Sequence, residues 1–494
     1  MFGAPPVTSA ATAPTEPVAA LAAAEGVSVK PAATATATLK KKMVFAHYHM
    51  QYPISLDNQV ASKDYYATQY LSASGEGGKY RNYGAYLRDR PLPQTPVAGS
   101  SWELINFQRE IAYAKRGGVD GFAINVWPNA VVNGADMRQY YQRAVTLIKA
   151  AKTRKFPIML QPDIGSSGYS ANALGDDLAV LARTGGSGVI VRDSKGRVVV
   201  SPFAADARSV SFWKAVLTRM GSKGVKAVLL PVFQRSGITA KRFAAWKSIS
   251  VGAGDWGGRN PRGVWSHADI LKKAGKLWMQ PVSVQDTRPH GSDKPPNYEE
   301  AANSTTLRAN WSYALGAKKG RPTADLVLLV TWNDYGETTH FAPSVQHGYS
   351  LLDMNLFYVR AYKKGKTSVT PAVVSSVGRE RLIVSHRQHS YAFKPKYKYP
   401  MAWRRDGGGT KPRNSVEVVT YLKSSAKVVV RIGTAKYTYT AKSGVYVKTF
   451  SLRSGSISAT FVRSGRSYTA TTGTKVTNNR TLQDMGYLFA SVAR

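Results

Sequence analysis

Cysteine is missing from the 494-residue chain, which excludes a disulfide framework, a thiolate metal site and a cysteine nucleophile. Acidic residues are scarce: 29 Asp and Glu stand against 68 Lys and Arg, giving a formal net charge of +39. Apolar runs stay well short of the roughly 20 residues that a membrane helix needs, so no membrane span is expected. The chain does contain 43% hydrophobic and 11% aromatic residues, which is enough to build folded cores.

The positive charge predicts attraction to polyanions, and it is densest near the C-terminal end. Residues 361–494 hold 25 Lys and Arg against 4 Asp and Glu. These basic residues stand mostly singly among Ser, Thr, Val and Tyr, without an arginine-rich block or a zinc-finger spacing. The pattern therefore favours adhesion to an acidic cell-wall polymer over sequence-specific binding of nucleic acid. A merely basic, solvated surface is an equally good interpretation.

The first 42 residues are rich in Ala, Thr and Pro and cannot bury a core, so residues 1–42 are predicted to be a disordered tail or linker. Their start lacks the positive n-region and the apolar h-region of a secretory signal. We nevertheless expect a secreted or cell-wall-associated protein, exported by another signal or by one that lies upstream.

From residue 43 onward, short apolar runs alternate with helical stretches, the pattern of parallel strands joined by crossover helices. Residues 43–364 are therefore predicted to form a (β/α)8 TIM barrel, an α/β fold, and residues 365–494 a basic all-β sandwich. The eight predicted strands are Met43–Tyr48, Gly121–Val126, Pro157–Pro162, Val198–Phe203, Ala227–Val232, Gly263–Ser266, Lys276–Val282 and Leu326–Trp332.

Polar and aromatic residues follow the predicted strands, at the end of a TIM barrel where active sites lie. Aromatic rings offer flat faces to sugar C–H groups, and amides and carboxylates bond the hydroxyls, so these residues predict a polysaccharide site. Each one alone is as often a packing or capping residue. No cofactor or metal is expected. The predicted substrate contacts are His47, Tyr48, His49, Asn125, Trp127, Gln161, Asp163, Gln234, Trp265, His267, Gln280, Ser283, Trp332, Asn333 and Tyr335.

Asp334 and Glu337 stand three residues apart in the turn after the eighth strand, where Gly336 permits a tight bend. Hydrolysis of a glycosidic bond needs one protonated carboxyl to assist the leaving oxygen and one carboxylate to activate water or attack. Asp-x-x-Glu is common by chance, but its position after an eighth barrel strand favours a catalytic pair.

Four segments resemble glycoside hydrolase family 71, the endo-α-1,3-glucanases or mutanases. The specific one is Thr331-Trp332-Asn333-Asp334-Tyr335-Gly336-Glu337, supported by Val44–Tyr48, Gly121–Val126 and Gln280–Ser283. The resemblance implies an endo-acting, inverting hydrolase of α-1,3-glucan with Asp334 and Glu337 as the carboxylate pair. The segment after Ser283 differs from the aromatic stretch of that family.

Three alternatives remain open at the level of sequence. Family 99, the endo-α-mannosidases, is similar in its last-strand motif, although Asp334 in place of Glu favours family 71. His47 and His49 point to one face of a strand and, with Asp163, would suit a metal-dependent hydrolase. The third alternative is a non-catalytic protein whose basic surface binds a wall polymer.

Overall fold

The computed structural model describes residues 36–165, 168–234, 237–257, 265–290, 297–317, 321–400, 402–403 and 411–494. Its larger part is a parallel sheet whose segments run in the order β5-β4-β3-β2-β1-β9-β8-β7-β6. The segments are β1 (Val44–Tyr48), β2 (Gly121–Val126), β3 (Ile158–Pro162), β4 (Val198–Val200), β5 (Ala227–Leu229), β6 (Val232–Phe233), β7 (Gly252–Asp255), β8 (Leu277–Ser283) and β9 (Leu326–Val330).

The sheet closes on itself because β5 and β6 are two halves of one interrupted strand. Leu230 and Pro231 separate them, and proline has no N–H for the ladder. β5 pairs with β4 and β6 pairs with β7, so the two outermost segments join the two edges of the sheet. The nine segments therefore form an eight-stranded TIM-like barrel, as the sequence predicts.

Helices alternate with the strands and cover the outside of the barrel. Three of them begin at a hydroxyl residue whose oxygen accepts a backbone hydrogen bond, namely Ser170, Ser209 and Thr239. The helices are α1 (Trp102–Arg116), α2 (Arg138–Arg154), α3 (Ala171–Gly185), α4 (Val210–Ser222), α5 (Ala240–Trp246), α6 (Trp265–Lys273), α7 (Thr305–Ala314) and α8 (Ser350–Lys363).

The sixth strand differs from the prediction. It is Gly252–Asp255, whereas residues 263–264 of the predicted segment lie outside the described residues and Trp265 begins α6. The strand contains two glycines, which are rare in strands, so residue preferences do not predict it. The close packing of the neighbouring strand nevertheless requires them. A Cβ on Gly252 would lie 2.2 Å from the carbonyl oxygen of Leu277 in the neighbouring strand.

The C-terminal part begins with α9 (Pro371–Val377) and continues as two antiparallel four-stranded sheets. The inner sheet has the order β14-β11-β10-β17 and the outer sheet has the order β13-β12-β15-β16. These strands are β10 (Arg381–His386), β11 (Ser415–Leu422), β12 (Ala426–Ile432), β13 (Ala435–Ala441), β14 (Gly444–Ser451), β15 (Ile457–Arg463), β16 (Arg466–Thr471) and β17 (Leu488–Ala493).

Side chains alternate between the two faces of the inner sheet, and each face packs against a different part of the molecule. Leu382 and Val384 pack into the core between the two sheets, whereas Ile383 belongs to the core shared with the barrel helices. The Tyr421 ring stacks on Phe357 of α8 at a centroid distance of 4.1 Å. The sandwich is thus fastened to the helical layer of the barrel through an apolar face.

The N-terminal end of the described chain corrects one predicted boundary. Residues 1–35 lie outside the described residues, but residues 36–42 lie against the barrel. The N–H of Leu39 donates to the carbonyl of Arg192 at 2.7 Å, and Leu39 packs against the apolar interior of the barrel. The predicted disordered tail therefore extends too far by these seven residues. Among the described helices none is long and apolar enough to cross a membrane.

Candidate active site

Side chains that point into the barrel change from apolar to polar toward the carboxyl ends of the strands. Phe45, Ala123 and Met159 belong to the apolar interior layer. Because side chains alternate along a strand, the residues two positions further also point inward. On β1, β2 and β3 these are His47, Asn125 and Gln161, followed after the strand ends by His49, Trp127 and Asp163.

His47 is held as a neutral hydrogen-bonding group. Its Nδ1–H donates to Oε1 of Gln161 at 2.5 Å, which leaves Nε2 as an acceptor. Burial, and then the neighbouring His49, lower the pKa of His47 to about 3. The rings of Trp256 and Phe203 enclose it at centroid distances of 4.9 and 6.3 Å. Both aromatic rings follow barrel strands and are contacts that the sequence analysis did not identify.

Several buried polar atoms at this end of the barrel have no hydrogen-bond partner among the described residues. They include Oδ1 of Asn125, Nε1 of Trp127, Oγ of Ser283 and Nδ1 of His49. Asn125 uses its other amide atom to donate to Asp163 at 3.0 Å, and burial raises the pKa of Asp163. Buried polar atoms in proteins are nearly always bonded, so this group suits a hydroxyl-rich ligand.

The turn after β9 is fastened to the loop after β1 by Asn333. Its amide nitrogen donates to the carbonyls of His49 and Tyr52 at 2.9 and 2.7 Å, and its oxygen accepts from the N–H of His49 at 2.7 Å. Asn333 therefore positions the adjacent Asp334. Nε2 of His49 lies 4.0 Å from a carboxylate oxygen of Asp334.

The two candidate catalytic carboxylates are joined through the backbone of the turn. The N–H of Glu337 donates to Oδ1 of Asp334 at 3.0 Å. The Asp334 side chain is 10% exposed and the Glu337 side chain 30% exposed. Arg288 lies 2.8 Å from a carboxylate oxygen of Glu337 and is also bound by Asp286. Asp334 thus lies deeper than Glu337, which is paired with a cation nearer the surface.

Tyrosine and histidine rings from two long loops form one side of the site. The hydroxyls of Tyr52 and Tyr86 are 2.5 Å apart, and Tyr86 stacks on His290 at 4.6 Å. Burial and the nearby Arg288 lower the pKa of His290 to about 4. Tyr86 is far in sequence from the strand ends used for prediction, and Tyr52 and His290 lie in loops beyond the residues that directly follow the strands. The abundance of tyrosine between residues 52 and 86 is the one signal that could have indicated them.

Tyr48 and Trp332, two predicted substrate contacts, lie instead between the barrel and its helices. The hydroxyl of Tyr48 donates to Glu110 of α1 at 2.6 Å, and Nε1 of Trp332 donates to the same carboxylate at 3.3 Å. Alternation explains Tyr48, because it follows the inward-pointing His47 by one residue. Tyr335 is also buried away from the site, where its hydroxyl donates to the carbonyl of Pro343.

The remaining predicted contacts take other positions. Gln280 faces outward, where its oxygen accepts from Nε1 of Trp278. His267 lies within α6 and accepts from the N–H of Ile238, so it anchors a loop. Gln234 is exposed after β6, and Trp265 is the first residue of α6.

One buried group in the described part of the chain has the composition of a metal site. The ligand atoms of Asp89, His340 and His347 lie within 4.8 Å of one another. The two imidazole planes are stacked at 20°, so their in-plane lone pairs do not converge, and His340 bonds Asp89 at 3.0 Å. We interpret this group as packing behind Tyr335. The sequence also offered His47, His49 and Asp163 as metal ligands, and Nδ1 of His47 in that set is already bonded to Gln161.

Comparisons with known proteins show which proteins this chain is similar to. The glucan endo-1,3-alpha-glucosidase agn1 of Schizosaccharomyces pombe is 24% identical in an alignment of 414 residues that covers 78% of this chain and 88% of that protein. A family 99 endo-alpha-mannosidase from Bacteroides thetaiotaomicron aligns at a TM-score of 0.48 with 12% identity, over 66% of this chain and 99% of that one. A modular endo-beta-1,4-mannanase from Cellulomonas fimi aligns at 0.33 with 14% identity, over 72% and 87%.

The sequence profile of glycosyl hydrolase family 71 matches residues 98–492, a span that includes both the turn after β9 and the sandwich. This chain therefore belongs to glycosyl hydrolase family 71 and is a glycoside hydrolase.

Proposed function

We propose that the protein hydrolyses α-1,3-glucan at internal linkages, with Asp334 and Glu337 as its two catalytic carboxyl groups. The observation that carries the proposal is the turn after β9. There the bond from the Glu337 N–H to Asp334 holds both carboxylates at the end of the barrel that bears the inward-pointing polar residues. The family and the S. pombe relative named for an endo-1,3-α-glucosidase support the choice of substrate.

The two carboxyl groups would act together on the glycosidic bond. One is protonated and gives its proton to the leaving oxygen as the C1–O bond breaks. The other is ionised and takes a proton from water as the water oxygen bonds to C1 from the opposite face. An α-linked substrate would then release a product with the β configuration.

Arg288 and Asn333 would keep the two carboxylates in place during this reaction. Arg288 binds Glu337 while Asp286 holds the guanidinium, so the Glu337 carboxylate is restrained by a cation that is itself held in place. Asn333 restrains the backbone next to Asp334. Such restraint favours catalysis because the groups do not have to be reoriented in the transition state.

The polar atoms without partners would bind the sugar hydroxyls. Because its pKa is about 3, His47 is neutral at physiological pH. It can therefore bond a sugar hydroxyl without placing a buried positive charge in the site. Trp127 presents an aromatic ring and an unbonded N–H near His49, at a ring distance of 6.5 Å. A neutral glucan chain matches this neutral, aromatic and hydrogen-bonding surface.

The experiment measures oligosaccharides released from insoluble α-1,3-glucan by the wild type and by Asp334→Asn and Glu337→Gln. Asp136→Asn is the matched control, because Asp136 is an exposed carboxylate paired with Arg138. Both site variants should lose turnover by several orders of magnitude and still bind glucan, whereas the control should keep wild-type activity.

Parallel assays on α-mannan and dextran test the substrate. Activity confined to α-mannan would overturn the assignment to α-1,3-glucan and leave the carboxylates in place. Wild-type protein that binds the polymers and cleaves none of them would support the non-catalytic alternative.

A further inference from the structure

The acidic residues of the sandwich are turned inward. Within the described part of residues 365–494 they are Glu380, Glu417 and Asp484, and all three are buried. Arg463 binds Glu380 at 2.9 Å and Arg308 binds Glu417 at 3.0 Å. Asp484 accepts from two glutamine side chains at 2.6 and 2.9 Å. Because all three are buried, they offset little of the positive charge at the surface, although the exposed Arg494 lies 3.6 Å from Glu380.

The basic residues of the same region are mostly exposed. A surface with exposed cations and internal acids has an attractive potential for anions over its whole area. The exposed cations among the described residues are Lys366, Arg379, Lys394, Lys396, Lys398, Lys411, Lys423, Lys427, Arg431, Lys436, Lys442, Lys448, Arg453, Arg466, Lys475 and Arg494.

Three of these cations project from the solvent side of the outer sheet. Lys427 and Arg431 alternate along β12 with buried valine and isoleucine, and Lys436 lies directly opposite Arg431 on β13. Like charges directly opposite each other destabilise a sheet. Among the described residues, none of the three has an acidic group within 4.0 Å. A bound anion would relieve this repulsion.

Hydroxyl groups fill much of the remaining face. Thr438 and Thr440 are exposed on β13, and Thr460 pairs with Thr469 across β15 and β16, with their hydroxyls 2.8 Å apart. The aromatic rings of the outer sheet, Tyr437, Tyr439, Phe461 and Tyr468, pack against the core between the sheets. Nucleic-acid bases stack on exposed aromatic rings, which this face does not offer.

We propose that this outer sheet face (Lys427, Arg431, Lys436, Thr438, Thr440, Thr460 and Thr469) binds an acidic polysaccharide. The three cations pair with its carboxylates, and the threonine hydroxyls bond its sugar hydroxyls. The partner is distinct from the neutral glucan of the active site, and the proposal does not depend on the catalytic assignment. Binding of this kind would hold the enzyme on an acidic wall matrix.

The test measures the affinity of the full chain for polygalacturonate, a polymer of uronic acid, by calorimetry at low and at high salt. The triple variant Lys427→Gln, Arg431→Gln, Lys436→Gln should bind roughly tenfold or more weakly at low salt. The matched control neutralises three exposed lysines of the barrel at Lys149, Lys152 and Lys155 and should change affinity by less than about twofold.

Several results would overturn the proposal. Equal weakening by both triple variants would assign the binding to net charge, and binding that salt does not weaken would remove the electrostatic basis. Tighter binding to single-stranded DNA than to polygalacturonate would make nucleic acid the partner. The single variant Lys436→Gln provides an independent check, since loss of the repulsion with Arg431 should raise the melting temperature in the absence of polymer.

Discussion

At the residue scale, Glu110 is the buried acid that connects α1 to the turn after β9. Its carboxylate accepts from Tyr48 and Trp332, and burial raises its pKa to about 7. The pKa is higher in the folded chain than in the unfolded one. The folded state therefore binds the proton more tightly, and this stabilisation is lost as pH rises from the unfolded pKa toward 7.

Replacement of Glu110 by Gln should remove that pH dependence. Between about pH 4.5 and pH 7 the wild type should lose up to about 3 kcal/mol of unfolding free energy that the variant does not lose. Urea unfolding at several pH values measures the difference. Glu103→Gln, on the same helix and only partly buried, is the control. Identical pH slopes for wild type and Glu110→Gln would contradict the predicted role of burial.

Gly336 is a second residue at which the structure makes a sharp prediction. A Cβ there would lie 2.5 Å from the hydroxyl of Tyr52 and 3.2 Å from Oδ1 of Asp334. Gly336→Ala should therefore shift the carboxylates and lower kcat by about 100-fold, with the fold retained. Removal of the hydroxyl in the double variant Gly336→Ala, Tyr52→Phe should restore part of the rate. An unchanged kcat in Gly336→Ala would refute the argument.

At the scale of elements, the strands made of continuous apolar runs were predictable because both faces of a barrel strand are buried. The run Leu326–Val330 is an example, with all five residues buried. β7 was not predictable in this way, because it contains two glycines, which are rare in strands. They are needed because β8 approaches closely. That approach exists only in the closed barrel and cannot be read from the local sequence.

The β7 glycines allow a direct test of this explanation. Gly252→Ala should cost about 1–3 kcal/mol or more of unfolding free energy, because its Cβ would meet the backbone of β8. Gly221→Ala is the matched control, since that helical position in α4 has open space around it. It should be neutral or stabilising by up to about 1 kcal/mol. Denaturant unfolding distinguishes the two, and equal effects would rule the explanation out.

The site itself was predictable in part. Strand ends indicated His47, Asn125, Gln161 and Asp163, and the structure brings these side chains together at one end of the barrel. Strict use of the two-residue period would have placed Tyr48 outside the site. The contributions of Tyr52, Tyr86, Arg288 and His290 depend on loop contacts between distant segments, which no local pattern encodes.

At the scale of the whole molecule, the barrel and the sandwich share a core. Tyr421 is buried against Phe357, and Glu417 of the same strand is bound by Arg308 of α7. A contact of this kind couples the unfolding of the two parts. The change in composition near residue 365 predicts two separate domains, because composition carries no information about their interface.

Tyr421→Ala should therefore destabilise the molecule as a unit. Loss of a buried aromatic ring costs about 3–5 kcal/mol, and calorimetry should show one transition that moves to lower temperature. Tyr391→Ala, at a residue that is 40% exposed, should leave the transition nearly unchanged. Two transitions, with only the sandwich shifted, would contradict a shared core.

Time-resolved NMR of the anomeric protons follows the proposed hydrolysis of α-1,3-glucan by Asp334 and Glu337 at the carbon where the bond breaks. The wild type acting on soluble α-1,3-gluco-oligosaccharides should first release the β anomer, which then equilibrates, and Asp334→Asn should release none on that timescale. First appearance of the α anomer would contradict the inverting reaction, and undiminished turnover by Asp334→Asn would contradict the assignment of the site.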